Sequence, residues 1–420
     1  MRVKALVVFV VTLAFAASAW AAGTETLLYS FDNYSGDGYQ PYSGLVADKS
    51  GNLYGTTVYG GSDSSCNCGT VFELKLSGGV WTETILYSFT GYTNSDGAYP
   101  EYSPLIIDSA GNLYGTTANG GSSTCNCGTV FELTKSGSTW KETILHAFLG
   151  YGSKDGYLPQ AGLSFDTTGN IYGTTYQGGV YNVGTVFQLL TSKTGWKYKV
   201  IHSFDNADGG AYYPLGGVTQ GADGYFYGTT QYGGYAYNAG TIYRLFQARN
   251  VWVGQIVFYF LEGGDGFYPD SSLAIDAKGN LYGTTYYGGT AETCSGGCGT
   301  VFKLTAGANN SYTQSVIYSF QADDKDGEYP YYSSGVTLDT KGNLYGTTYQ
   351  GGKGTQNAGT VYELTPSGSG YKENLLWSFD TVSGDGYYPR SRVILVGGNL
   401  YGTTYVGGKN GQGTVFEVKP

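Results

Sequence analysis

Two histidines occur among 420 residues, His146 and His202. Histidine is the first side chain to consider for proton transfer near neutral pH. Both stand where the matching segments of other repeats carry Tyr29, Tyr87 or Tyr318. A position that accepts either ring reads as a packing position with a polar tip. No serine is flanked as a nucleophile elbow, and no histidine has zinc-ligand spacing, so neither a catalytic residue nor a metal site is expected from these groups.

Carboxylates are more numerous. Asp48, Asp108, Asp166, Asp276 and Asp339 each open a short turn, while Gln220 and Val396 take that place in two repeats. An aspartate capping its own turn accounts for this set. A second set begins Asp-Gly turns: Asp37, Asp96, Asp155, Asp208, Asp265, Asp326 and Asp385, each followed within a few residues by proline. Asp323, Asp324 and Asp326 come nearest to the spacing of a calcium loop, although the full twelve-residue ligand pattern is absent. Calcium near Asp324 and Asp326 is the one cofactor the spacing suggests.

Tyrosine, 43 residues in all, is the other candidate. Tyr39, Tyr99, Tyr157, Tyr213, Tyr268, Tyr329 and Tyr387 flank the Asp-Gly turns, and Tyr59, Tyr176, Tyr232, Tyr287, Tyr349 and Tyr405 follow a Thr-Thr pair. A tyrosine offers an apolar plane with a hydroxyl at its rim, and a neighbouring aspartate can accept hydrogen bonds from sugar hydroxyls. The seven turn aspartates and seven turn tyrosines are therefore the expected ligand-binding set. The same rings could instead pack the loops.

The elements that hold these residues repeat. Tyr-Gly-Thr-Thr starts at Tyr54, Tyr114, Tyr172, Tyr227, Tyr282, Tyr345 and Tyr401, a period that marks a repeat architecture. Each period reads as four short strands. Strand a (Leu45 to Asp48) turns at Gly51-Asn52 into strand b (Leu53 to Thr57). A Gly-rich loop leads to strand c (Thr70 to Leu74), and a second turn leads to strand d (Thr84 to Phe89). With 70 glycines, one methionine and no helical periodicity beyond the N-terminus, the expected fold is all-β: a seven-bladed β-propeller of four-stranded antiparallel blades.

Residues 26–31 supply a strand d before any strand a, and the last repeat stops after its strand c. Pairing the two would close the ring and remove an exposed edge. An open solenoid would need capping repeats, and none is visible. The glycine of strand b is expected to let the next blade approach. The varying slot of strand c (Glu73, Glu132, Gln188, Arg244, Lys303, Glu363, Glu417) is expected to face solvent.

Residues 1–21 form an expected secretory signal peptide: Arg2 and Lys4, the apolar run Ala5 to Ala17, then Ala19-Trp20-Ala21. Residues 22–420 would be one seven-repeat domain, exported, monomeric and without a transmembrane segment. A net charge of −10 argues against nucleic acid or anionic lipid as partner. Six cysteines stand in b–c loops as Cys66/Cys68, Cys125/Cys127 and Cys294/Cys298. They could form a thiolate metal site, but an oxidising compartment favours disulfides. The third pair lies far around the ring from the others and is expected to bridge itself. Loop-internal bridges are favoured by analogy in the first two, with a link between those two loops left open.

Gly-Asn-Leu-Tyr-Gly-Thr-Thr, then Gly-Gly, Gly-Thr-Val-Phe-Glu-Leu, Leu-Tyr-Ser-Phe and Asp-Gly-x-x-Pro together resemble the GloVer repeat of the choice-of-anchor tandem repeat proteins of bacteria. The resemblance covers essentially the whole of residues 22–420 and implies export. Many members carry a C-terminal anchor, whereas here only Lys419 and Pro420 follow Val418. It implies no activity and no site residues. Two functional readings follow from the residues. One is an exported non-catalytic binding or scaffold propeller meeting extracellular polysaccharide or a cell-surface protein. The other is an extracellular propeller lyase or hydrolase with a central pocket.

Overall fold

The structure, a computed structural model, describes residues 23–420 except 35, 63–64, 123, 138, 208, 236, 262, 324–325, 332–333, 354–356, 369 and 382–383. The expected signal peptide lies outside the described residues. In the first blade Val46–Ala47, Leu53–Thr57, Thr70–Ser77 and Val80–Ser88 pair antiparallel in that order. Five further blades repeat this meander. In the seventh, Ile394–Val396, Asn399–Thr404 and Thr414–Lys419 receive Thr24–Ser30 as outer strand, with Glu25 opposite Val418 and Ser30 opposite Thr414. The chain is thus a seven-bladed propeller closed by its N-terminal strand. Its helical content among the described residues is three single 3₁₀ turns.

A four-stranded sheet of this length cannot bury its own faces, so the core lies between blades. Strand b is fully buried in the first six blades, as Leu53–Thr57 shows, and from Leu400 onward in the seventh. The phenylalanine ending each strand d meets a strand-c ring of the next blade edge-on. Phe31 on Phe72 (5.1 Å), Phe204 on Tyr243 (4.9 Å) and Phe379 on Phe416 (5.1 Å) are three of seven such pairs. The glycine of strand b serves a different neighbour from the one expected. A Cβ at Gly55 would stand 2.6 Å from the Phe72 ring on the paired strand c, so the absent side chain admits the blade's own aromatic.

The two threonines divide their work. Thr57 Oγ1 bonds Thr70 of strand c and the carbonyl of Tyr59. Thr56 Oγ1 reaches the Pro100 carbonyl of the next blade at 3.2 Å, and Thr403 reaches the Ser43 carbonyl across the closure at 2.9 Å. A further clasp joins blades at the proline. The residue before it adopts positive φ in all seven repeats, as at Tyr99 (55°), Tyr268 (59°) and Tyr388 (60°). Tyr99 N–H donates to the Cys68 carbonyl of the preceding blade, and its own carbonyl accepts from Ala118.

The aspartates of the a–b turns cap as read. Asp48 Oδ1 accepts from the N–H groups of Ser50 and Asn52, and Oδ2 accepts from Asn52 Nδ2. Where Gln220 replaces the aspartate, Asp223 takes the Tyr227 hydroxyl instead. The strand-c slot does not face solvent. Gln188 and Arg244 are buried, at 6% and 7% exposure, and the glutamates are half-buried. The slot stands opposite the strand-b tyrosine, so Tyr54 donates to Glu73 at 2.9 Å and Tyr401 to Glu417 at 2.8 Å. Arg244 instead donates to Gln255 Oε1, and Lys303 lies over the Tyr282 ring, so each residue type in the slot finds its own partner.

Strand d carries a less comfortable group. Burial pushes Glu83 up to about 8, with Asp37 and Asp32 adding to it, and pushes Glu373 up to about 8, with Asp326 and Asp323 adding. Glu25 and Glu142 rise to about 7 for the same reasons, beside Asp385 and Asp96. These groups bind protons more tightly folded than unfolded, so their contribution to stability is lost as pH rises through the folded values. The melting temperature is expected to fall between about pH 5 and about pH 9. Glu83→Gln with Glu373→Gln is expected to flatten that dependence, and a profile that rises with pH would contradict it. Removal of residues 24–31 is expected to expose the seventh blade's edge, lower the melting temperature and promote aggregation. A truncated protein that stays monomeric at unchanged melting temperature would count against the closure.

Candidate functional site

The Asp-Gly turns and the b–c loops share one face, where they pair as short two-stranded ribbons: Gly38–Tyr39 with Tyr59–Gly60, Gly156–Tyr157 with Gln177–Gly178, Gly386–Tyr387 with Val406–Gly407. Glycine is required beside the ribbon, because a Cβ at Gly60 (φ 95°) would lie 2.2 Å from the Asp37 carbonyl oxygen.

The turn aspartates are largely occupied by the fold. Asp37 accepts from the Tyr29 hydroxyl (3.0 Å) and from the N–H groups of Asp32 and Gly38. Asp96 accepts from Tyr87 and Thr90, Asp326 from Tyr318, Gln321 N–H and Gly327 N–H, and Asp385 from Trp377 Nε1. His146 takes the tyrosine's role and holds Asp155 at 3.0 Å, stacked on Tyr198 at 3.5 Å. Burial pushes Asp155 up, but its hydrogen bonds from His146 and Tyr198 outweigh that and hold it below the usual range. His202 packs edge-on against Phe204, and burial lowers its pKa. Asp265 is half-buried, and its repeat has Phe258, without a hydroxyl, where others have tyrosine. Asp208 and Asp324 lie outside the described residues. Both histidines thus sit on strand d, away from the axis.

The tyrosines form a belt on this face. Tyr232, Tyr268, Tyr287 and Tyr329 follow one another at ring separations of 4.9, 6.2 and 5.7 Å. Tyr329 stacks on Tyr286 at 5.2 Å, Tyr286 meets Tyr331 at 5.2 Å, and Tyr331 stacks on Tyr349 at 4.9 Å. Tyr213 stacks on Tyr176, Tyr99 meets Tyr59, and Tyr39 both stacks on Tyr59 and receives a hydrogen bond from Asn67. Tyr387 packs on Tyr388. Tyr39, Tyr99, Tyr157, Tyr213, Tyr268, Tyr329 and Tyr387 are all half-buried. The most exposed rings are others: Tyr34, Tyr151 and Tyr235, at 74%, 78% and 70% exposure, with Tyr181 and Tyr237 beside them. They stand in the loops between strands, where residue types differ from repeat to repeat; Tyr151 matches Tyr92, itself 47% exposed, in the loop ahead of its own Asp-Gly turn.

Near the axis the belt closes around a cation. Arg390 lies over Tyr405 at 4.2 Å, Tyr42 at 4.4 Å, Tyr349 at 4.9 Å and Tyr331 at 5.1 Å, and donates from Nη2 to the Tyr349 hydroxyl. Such contacts strengthen as the cation is desolvated. Tyr42 continues to Tyr102, whose ring borders the central channel. Burial pushes Glu101 up at this mouth, and Arg390 opposes the shift. The channel cavity measures about 40 Å³ and is lined from every blade, by Gly44, Pro104, Gly162, Leu215, Asp270, Gly335 and Arg392 among others. Lining residues directly precede strand a, so strand a is innermost. Repeat-based reading missed Arg390 and Arg392 because it searched for residues present in every repeat.

Each cysteine pair closes within its own loop: Cys66 with Cys68, Cys125 with Cys127, and Cys294 with Cys298, at Cα separations of 5.1, 5.1 and 5.2 Å. No described cysteine is free. Non-reducing mass spectrometry is expected to find Cys294 linked to Cys298 and no free thiol, whereas a link from Cys294 to another repeat would contradict the arrangement. No helix among the described residues is long and apolar enough to cross a membrane.

A crystal structure of a candidate 6-phosphogluconolactonase from Bacteroides uniformis is similar over 86% of this chain and 88% of that one, at a TM-score of 0.50 and 14% identity. At that identity the likeness is one of fold. No curated protein matches the sequence. The Gloeobacter/Verrucomicrobia repeat matches residues 12–149, 62–294 and 285–420, from before the first blade to the final strand. The chain belongs to the Gloeobacter/Verrucomicrobia repeat family.

Proposed function

We propose that this protein is an exported, non-catalytic binding propeller whose Asp-Gly face recognises an extracellular polysaccharide or glycoconjugate. The observation that carries the reading is the tyrosine belt from Tyr232 to Tyr349 and its continuation through Arg390 to Tyr42 and Tyr102. Sugar rings present flat C–H faces to aromatic planes, and phenol hydroxyls at the rim offer donors and acceptors. Exposed Tyr34, Tyr151 and Tyr235 on the same face extend the apolar planes outward. Several weak contacts on one rigid ring would act together and raise the effective affinity for a repeating polymer.

The turn aspartates enter this reading mainly as supports. Asp37, Asp96, Asp155, Asp326 and Asp385 fix the ribbons that carry the tyrosines, and what acceptor capacity they retain would be secondary to stacking. The test is retention of the purified protein on immobilised cell-wall polymers and a glycan array. Tyr268→Ala with Tyr329→Ala is expected to weaken binding by roughly threefold to tenfold per ring, from an aromatic contribution of about 0.5–1.5 kcal/mol each, with the circular dichroism spectrum unchanged. Failure of the parent protein to bind any glycan, or full binding by the double variant, would remove the proposal.

A further inference from the structure

Seven equivalent residues stand two positions ahead of the innermost strands and surround the axis: Gly44, Pro104, Gly162, Gly217, Ser272, Gly335 and Arg392. Six are small or ring-closed. The seventh places a guanidinium into the central cavity, where Leu45, Leu215 and Ile394 supply apolar wall. The Arg392 side chain makes no hydrogen bond and no ion pair with any described group; the described ion pairs are His146–Asp155 and Lys419–Glu417. What surface it keeps faces the channel, and burial lowers its pKa. A guanidinium stays protonated at any ordinary pH, so this is a standing charge without a counter-charge in contact. Truncating it would bring the position into line with its six neighbours, none of which carries a charge.

A second observation points the same way. Arg390, two residues earlier on the same segment, has a buried Nε without a hydrogen-bond partner, although its planes are covered by tyrosine rings. One segment of the seventh blade thus directs two guanidinium groups at the axis, one at the mouth and one inside.

We propose that the central channel is a carboxylate site, in which Arg392 takes both oxygens of a small carboxylate ligand that enters past the Arg390 mouth. The fork of guanidinium donors matches a planar carboxylate in two parallel hydrogen bonds. Asp270 in the same wall, buried at 2% exposure, opposes any anion there, and opposes the doubly charged sulfate or phosphate more than a singly charged carboxylate. A cavity of about 40 Å³ has room for roughly three waters, and so for a small carboxylate such as acetate. The ligand class is then a small carboxylic acid, or the acid end of a larger molecule seated on the mouth. This site does not depend on the glycan reading, since the belt could bind neutral sugars with the channel unused.

The experiment is a thermal-unfolding titration of the full protein with sodium acetate and sodium D-galacturonate, against D-galactose, sodium sulfate and sodium chloride at matched ionic strength. A ligand that binds only the folded state raises the melting temperature in a saturable way. Both carboxylates are expected to do so, and galactose is not. Arg392→Gly is expected to melt no lower than the parent in chloride alone, and to bind carboxylate roughly tenfold or more weakly. Arg392→Gln, which keeps bulk and hydrogen-bond donors but no charge, is expected to lose the response too. The proposal falls if the parent gives no saturable response, if either variant keeps it, if sulfate outperforms the carboxylates, or if Arg392→Gly sharply destabilises the chloride form. Tyr268→Ala with Tyr329→Ala should leave the acetate response intact, which separates this site from the sugar-binding belt.

Discussion

Everything in this molecule depends on the interlock between each glycine that opens strand c and the proline of the following blade. A Cβ at Gly69 would stand 2.9 Å from Pro100 Cδ, one at Gly184 2.5 Å from Pro214, and one at Gly413 2.6 Å from Pro41. The contact recurs at every blade junction, including the one that joins the last repeat to the first. Beside it the residue before proline holds positive φ, where an ordinary residue costs about 1–2 kcal/mol, and two backbone hydrogen bonds hold it there. Single blades have no interior of their own, so this seam decides whether seven sheets become one body. A ring leaves no sheet edge without a neighbour and lets each seam support the next.

That rigid seam explains where variation is tolerated. Strand b, the first threonine of each pair and the phenylalanine edges recur around the ring because each touches the next blade, while the second threonine ties strand b to its own strand c. Positions just after the proline do not repeat: Tyr42, Gln160, Leu215, Asp270 and Arg390 differ in charge, size and polarity, and Leu215 and Asp270 among them line the channel. A seven-fold frame therefore presents a mouth without seven-fold symmetry. Ligand selectivity needs such asymmetry, and the residues that supply it break the repeat rather than define it.

The outer strands show the electrostatic cost of the same design. Repetition sets Glu83, Glu142, Glu373 and Glu25 beside an Asp-Gly turn whose aspartate is already committed to hydrogen bonds. In the third blade Tyr198 replaces the glutamate and joins His146 and Asp155, which turns a like-charge contact into a hydrogen-bonded stack. His146 thus belongs to the relief of buried charge, while His202 packs against Phe204.

The sequence alone determined the fold, because strand period, turn residues and the displaced outer strand are local signals repeated seven times. Repetition also made the face shared by the Asp-Gly turns and b–c loops legible. It misled in two places. The strand-c slot looked solvent-exposed because its charge varies, yet each residue there is partnered: Glu73 accepts from Tyr54, Arg244 donates to Gln255, and Lys303 lies over the Tyr282 ring. The strand-b glycine seemed to serve the next blade, yet its nearest neighbour is the ring directly across its own ladder, at Phe72. Only the tertiary structure decided the site. Ring closure brings Tyr331, Tyr349, Tyr405 and Tyr42 from three blades onto Arg390, and sets Arg392 across the channel from residues hundreds of positions away. Such contacts depend on sequence separation being cancelled by the ring, and no local pattern of residue types records that.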